Sequence, residues 1–231
     1  MSMPQSHYDC LERPKTCAPD DFWGQVRRTV NGKPISEEQL ELIFSMVRTA
    51  LHFEKADTLL DLACGNGALA SYFFDEIHEY LGVDMSPYLI EVAKKNFENT
   101  PRYSFLENSI NPYSTEEKLP ERFTKILLYG AVAYLSKDEL RELLTTLRTR
   151  FTHVSRFFIG TIPDRDCAKA FFQERPMLPL DDHTTAIGLW WTRHEFQTLC
   201  EDCGWTTQLV DMPQDFFQSH YRFNAVLTPK A

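Results

Sequence analysis

A short apolar run, Leu59-Leu60-Asp61-Leu62, breaks off at Ala63-Cys64-Gly65-Asn66-Gly67, and a second run, Tyr80-Leu81-Gly82-Val83-Asp84, follows. Runs of this length without polar alternation read as strands buried on both faces, which occur in parallel sheets covered by helices. Parallel strands need a long crossover, and the interval between the two runs is long enough for one. The glycines in the break permit positive φ and close approach of a ligand to the backbone.

The remaining pattern repeats the alternation. Asp57 to Leu62 is the first strand, a helix is expected over 67–78, and Tyr80 to Asp84 is the second strand. Upstream, Ser36 to Gln39 reads as a capping box with Ile35 and Leu40 as a staple, opening a helix over 37–52. Ser86 caps a helix with Pro87 at its first position. Tyr103 to Leu106, Phe123 to Tyr129 and Phe157 to Thr161 are the next strands; boxes at Ser136–Glu139 and Thr192–Glu195 open two more helices. Thr206 to Val210 and Arg222 to Leu227 close the chain with no helix between them. The fold class is α/β: a Rossmann-like, doubly wound seven-stranded sheet, mostly parallel with an antiparallel last strand, and helices on both faces. The chain reads as one domain over 1–231, in which 1–35 and 163–191 fall outside the rhythm. These two segments are expected at the carboxyl ends of the strands, as a lid and an inserted acceptor-pocket segment.

A net charge of −9 argues against a nucleic-acid surface, which needs clustered Lys and Arg. No apolar run is long enough to span a bilayer. Met1 to His7 lacks a signal-peptide pattern, and six scattered cysteines read as thiols. The expected setting is cytoplasmic, with a small-molecule substrate, no nucleic acid or membrane partner, and a monomer or homodimer.

Gly65-Asn66-Gly67-Ala68-Leu69-Ala70 satisfies a dinucleotide fingerprint, with Asp84 where a ribose-binding acid belongs. Asp61 decides against it. A dinucleotide would put its pyrophosphate at this loop, beside a carboxylate in a poorly screened crevice. An acid there suits a cationic sulfonium and α-amine.

Leu59-Leu60-Asp61-Leu62-Ala63-Cys64-Gly65-Asn66-Gly67 resembles the first motif of class I S-adenosylmethionine-dependent methyltransferases, and Leu81-Gly82-Val83-Asp84-Met85-Ser86 resembles the second. The resemblance implies S-adenosyl-L-methionine as cofactor and S-adenosyl-L-homocysteine as product. It assigns Asp61, Ala63, Gly65 and Gly67 to the methionine moiety, Asp84 to the ribose, Met85 to the adenine face, and Asn108 or Ser109 to the adenine edge. Tyr129, beside Leu128 and Gly130, would line the methyl-transfer side. Ala63 stands where the family has its first glycine. Metal-dependent relatives carry acids where this chain has Tyr129-Gly130-Ala131, so no metal is expected.

A hydroxyl acceptor benefits from a base, and histidine has the suitable pKa. His183, in the inserted segment, and His220, before the last strand, are the candidates; Tyr129 is a third catalytic candidate. Trp23, Trp191 and Tyr221 are expected to cover a ligand, and Arg27, Arg28 and Arg222 to clamp a carboxylate or phosphate. Asn111-Pro112-Tyr113 reads as a turn, and Cys200-Glu201-Asp202-Cys203 as thiols without a zinc site. The function expected is methyl transfer to an oxygen of an acidic or sugar-like metabolite. The alternatives are a protein or RNA methyltransferase, a nicotinamide-dependent oxidoreductase, and a non-catalytic binding protein.

Overall fold

The computed structural model describes residues 5–30 and 32–230; the first four residues of the expected leaderless start lie outside it. The sheet strands are β1 Thr58–Leu62, β2 Glu79–Asp84, β3 Tyr103–Glu107, β4 Lys125–Tyr129, β5 Arg156–Pro163, β6 Trp205–Asp211 and β7 Arg222–Pro229. They form one seven-stranded sheet in the order β3-β2-β1-β4-β5-β7-β6. β1 pairs in parallel with β2 and β4, whereas β7 runs antiparallel to both β5 and β6. The order reverses beside β1, so its carboxyl end opens onto the crevice where such sheets bind ligands.

Alternation along the strands divides the core. Leu60, Leu62, Ile126, Leu128, Phe157 and Ile159 face one cluster, which α5 (Lys137–Arg150) and α6 (Arg193–Asp202) cover with Leu140, Leu144, Phe196 and Leu199. Leu59, Leu127 and Phe158 face the other, under α2 (Glu37–Leu51) and α3 (Pro87–Phe97). Asp61 and Tyr129 lie in phase with this second set.

The boxes at Ser136–Glu139 and Thr192–Glu195 form, and Ser86 accepts from Leu89 N–H. The expected box at Ser36 does not. Gln39 bonds instead to the Asp215 carbonyl and the Phe217 N–H, tying α2 to the β6–β7 loop.

Two expectations need correction. The helix expected over 67–78 is a single turn, Ala68–Ser71, followed by a 3-10 turn at Phe74–Glu76. Phe73 and Phe74 turn into the aromatic cluster under α2 and β3, which ends the helix early. Asn111-Pro112-Tyr113 is not a loop turn but the start of α4, Ile110–Glu116. Proline is tolerated there because first-turn N–H groups have no helical partner.

Candidate functional site

The glycine loop leaves β1 through three left-handed residues: Ala63 (φ 59°), Gly65 (φ 60°) and Gly67 (φ 77°). At Gly67 a Cβ would lie 2.6 Å from the Phe105 ring, so glycine is required by both conformation and space. Ala63 bears the strain of a side chain in this region, which accounts for the family's glycine. Ala63→Gly is therefore expected to stabilise the fold by about 0.5–1 kcal/mol in urea denaturation, relief of strain outweighing unfolded-state entropy.

Asp84 closes the loop from β2. One carboxylate oxygen accepts the Gly65 N–H at 2.8 Å, and the other accepts the Ser86 N–H at 2.9 Å. Burial raises its pKa while these two bonds lower it. Each oxygen retains a further lone pair. Beside it Met85 and Leu106 remain exposed at the ends of β2 and β3. The Asn108 N–H bonds to the Asp84 carbonyl, and Ser109 is the exposed N-cap of α4.

Asp61 lies beneath the loop and accepts a hydrogen bond from the Tyr80 hydroxyl at 3.1 Å. Burial is the main reason its pKa rises to about 7; the Tyr80 bond and the Arg28 charge oppose the rise. Tyr80 was not anticipated, although Gly82 was its signal. A Cβ at Gly82 would come within 2.5 Å of the Tyr80 hydroxyl, and an isolated glycine inside a strand marks such close approach.

The two segments outside the rhythm meet each other over this end of the sheet. In the N-terminal one, the Phe22 carbonyl and Gln25 Oε1 accept from Asn66 Nδ2 of the glycine loop, and Val26 packs where a Gly65 Cβ would be. Helix α1 (Gln5–Leu11) sends the Ser6 N–H to the Thr184 carbonyl of the inserted segment. Arg27 Nη1 bonds Asp9 at 2.6 Å, and contacts the Tyr134 hydroxyl and the Ala186 carbonyl at 3.3 Å. Arg27 thus joins the two segments instead of standing free for an acceptor. Arg28 is different. Its buried Nε has no hydrogen-bond partner, and its guanidinium lies 5.1 Å from the Tyr129 ring centroid and 5.7 Å from that of Trp23.

Tyr129 is buried, its ring against Gly160, and its hydroxyl has no partner. Burial raises its pKa against the pull of Arg28 and Arg222, so the phenol is a donor at neutral pH and not a base. Arg222 donates to the Thr161 carbonyl at 2.6 Å. Other expected residues stand elsewhere. Trp191 is a core residue, edge-on to Phe196. Tyr221 is buried with Trp190 and Phe172 in a separate cluster. Trp23 packs against Phe44 and Tyr72. His220 is exposed and stacked on Phe171. His183 is half-buried in the inserted segment. Among the described residues no cluster of His, Cys, Asp and Glu fits a metal, and no helix is long and apolar enough to cross a membrane.

Strand order, antiparallel β7 and the acid-bracketed glycine loop are the arrangement found in the class I methyltransferase fold. Residues 59–152 match the family model described as a methyltransferase domain, and the chain has the fold of the class I S-adenosylmethionine-dependent methyltransferases. An uncharacterized RNA methyltransferase of Streptococcus pneumoniae is 35% identical over 71 residues, which make up 29% of this chain and 16% of that protein. The chain thus spans only a small part of that relative's length. A TehB-like SAM-dependent methyltransferase from Corynebacterium glutamicum superposes with a TM-score of 0.58 at 19% identity, covering 92% of this chain and 98% of that one. Magnesium protoporphyrin IX methyltransferase from Synechocystis, with bound SAH, gives 0.61 at 10% identity, covering 84% and 83%.

Proposed function

We propose that this chain moves a methyl group from S-adenosyl-L-methionine to an oxygen of a small acidic or sugar-like acceptor, in the cytoplasm. The observation that carries this reading is the buried pair of acids at one glycine loop, Asp61 beneath it and Asp84 behind it. Two carboxylates repel a pyrophosphate but suit a cationic amino acid end and a ribose. The cofactor, when bound, supplies a sulfonium methyl that is displaced in line and leaves S-adenosyl-L-homocysteine.

The chain's own residues do the rest. Asp61 would face the ammonium, directly or through a water, and the second lone pairs of Asp84 would take the ribose hydroxyls. Met85 and Leu106 would cover adenine, with Asn108 or Ser109 at its edge. Tyr129 would donate to the acceptor side and position it. The segments 1–35 and 163–191 would act as the lid and acceptor wall. His183 and His220 lie at exposed or rim positions, so the reading leans on positioning and not on a histidine base. Methylation of RNA is the second reading, favoured by the name of the Streptococcus pneumoniae relative and opposed by the net charge of −9.

A pH dependence follows from Asp61. The folded acid, at about 7, holds its proton where the unfolded acid, near 4, has lost it. Stability should therefore fall as pH rises from about 4 to about 7, then level off. Affinity for S-adenosylhomocysteine should move the opposite way, because its ammonium prefers ionised Asp61. A rise approaching tenfold per pH unit below about 7 is expected in calorimetry, and Asp61→Asn should flatten both curves.

A further inference from the structure

Thr161 ends the regular part of β5 in a conformation that β-branched residues rarely adopt, with φ 66°. The pairing with β7 shifts register between Ile159 and Ile162, so Thr161 lacks ordinary ladder partners. Two β7 side chains replace them. Asn224 Oδ1 accepts the Thr161 N–H at 2.9 Å, and Arg222 Nη1 donates to its carbonyl at 2.6 Å. Asn224 is itself buried. The strained conformer is held from both sides, which is how unfavourable backbone persists at functional sites.

The held residue offers an unused group. Thr161 is buried and its hydroxyl has no partner. The hydroxyl lies 3.9 Å from where a Cβ on Gly130 would stand, and Gly130 leaves that space open. Tyr129, which precedes Gly130 in the chain and whose ring lies against Gly160, also has a buried and unpartnered hydroxyl. Arg222 Nε is a third such group; Arg28 Nε is a fourth. Among the described residues neither arginine forms an ion pair. Buried hydroxyls normally find partners, and a cation removed from water needs an anion. Donors of this kind, set at the carboxyl ends of β4 and β5 and the adjoining start of β7, describe the complement of an oxyanion.

We infer that Thr161, Tyr129 and Arg222 form the acceptor's recognition site, and that the acceptor presents a carboxylate to them. Arg28, which feels Asp61 as well as Tyr129, is left to the cofactor's side, where it would serve the cofactor's own carboxylate. This rests on the methyltransferase reading above and deepens it by naming the acceptor class and a specificity residue, Thr161.

The test uses the full chain saturated with S-adenosylhomocysteine, so that the cofactor's carboxylate is already in place. Small aromatic and aliphatic hydroxy acids, each beside its primary amide, are titrated by saturation-transfer NMR and calorimetry. The expected result is binding of one or more acids with at least tenfold preference over the amide. Thr161→Gly should weaken that binding at least tenfold while leaving S-adenosylhomocysteine affinity within twofold, because glycine adopts the left-handed conformation without strain. Thr161→Ser should restore it, and Arg222→Gln should abolish the preference for acid over amide. Equal binding of acids and amides, or undiminished acid binding by Thr161→Gly, would overturn the inference. So would acids that bind only by displacing S-adenosylhomocysteine, since the site would then belong to the cofactor. Failure of S-adenosylhomocysteine to bind at all would instead strike the methyltransferase reading itself.

Discussion

Asp84→Ala is expected to lower S-adenosylhomocysteine affinity by about 1–3 kcal/mol, roughly 5- to 150-fold, and to destabilise the free protein as well. The first effect is the loss of acceptors for the ribose hydroxyls. The second comes from the carboxylate's internal work. It accepts N–H groups from Gly65 and Ser86, joining the glycine loop to the start of α3. Alanine leaves both donors unpaired, at about 1–3 kcal/mol each, offset in part because a costly buried charge is also removed. A net destabilisation of about 2 kcal/mol in chemical denaturation is expected. Asp84→Asn retains one acceptor oxygen and should fall between the variants. Unchanged ligand affinity in Asp84→Ala would mean that the ribose binds elsewhere.

Gly65→Ala should be nearly as damaging, by a different route. The left-handed backbone at φ 60° penalises any side chain by about 1–2 kcal/mol. Its Cβ would also meet Val26 Cγ1 at 2.8 Å, so the N-terminal segment must shift away from the loop. Overpacking of this kind adds about 1–3 kcal/mol. The expected outcome is a stability loss of about 2–5 kcal/mol, with faster proteolysis around residues 22–28 than in the wild type. Ala63 is the internal comparison. It shares the conformation, so Ala63→Gly should move stability in the opposite direction.

The sheet and the cofactor loop were legible because local signals agree there. Buried parallel strands read as unbroken apolar runs, two of the three expected capping boxes form, and Asp61 and Asp84 bracket glycines at interpretable spacing. The third box failed because Gln39 found partners near Asp215 and Phe217, 176 and 178 residues away. The acceptor side was less legible for the same reason. Arg27, Arg28 and Arg222 are indistinguishable as sequence, but tertiary pairing sends Arg27 to Asp9 and leaves Nε unpartnered on the other two. Trp191 and Tyr221 look like ligand covers in sequence and are packed away in clusters. Thr161 gave no signal, since its left-handed conformation accompanies a register shift against β7 that no local pattern encodes.

The central claim is that the loop from Asp61 to Gly67, with Asp84, holds a cationic methionine moiety and a ribose. Calorimetric titration of the purified chain with S-adenosylhomocysteine and, separately, NADH addresses it directly. The account predicts one-to-one binding of S-adenosylhomocysteine that strengthens as pH rises toward about 7, and no binding of NADH. Binding of NADH without S-adenosylhomocysteine would contradict it.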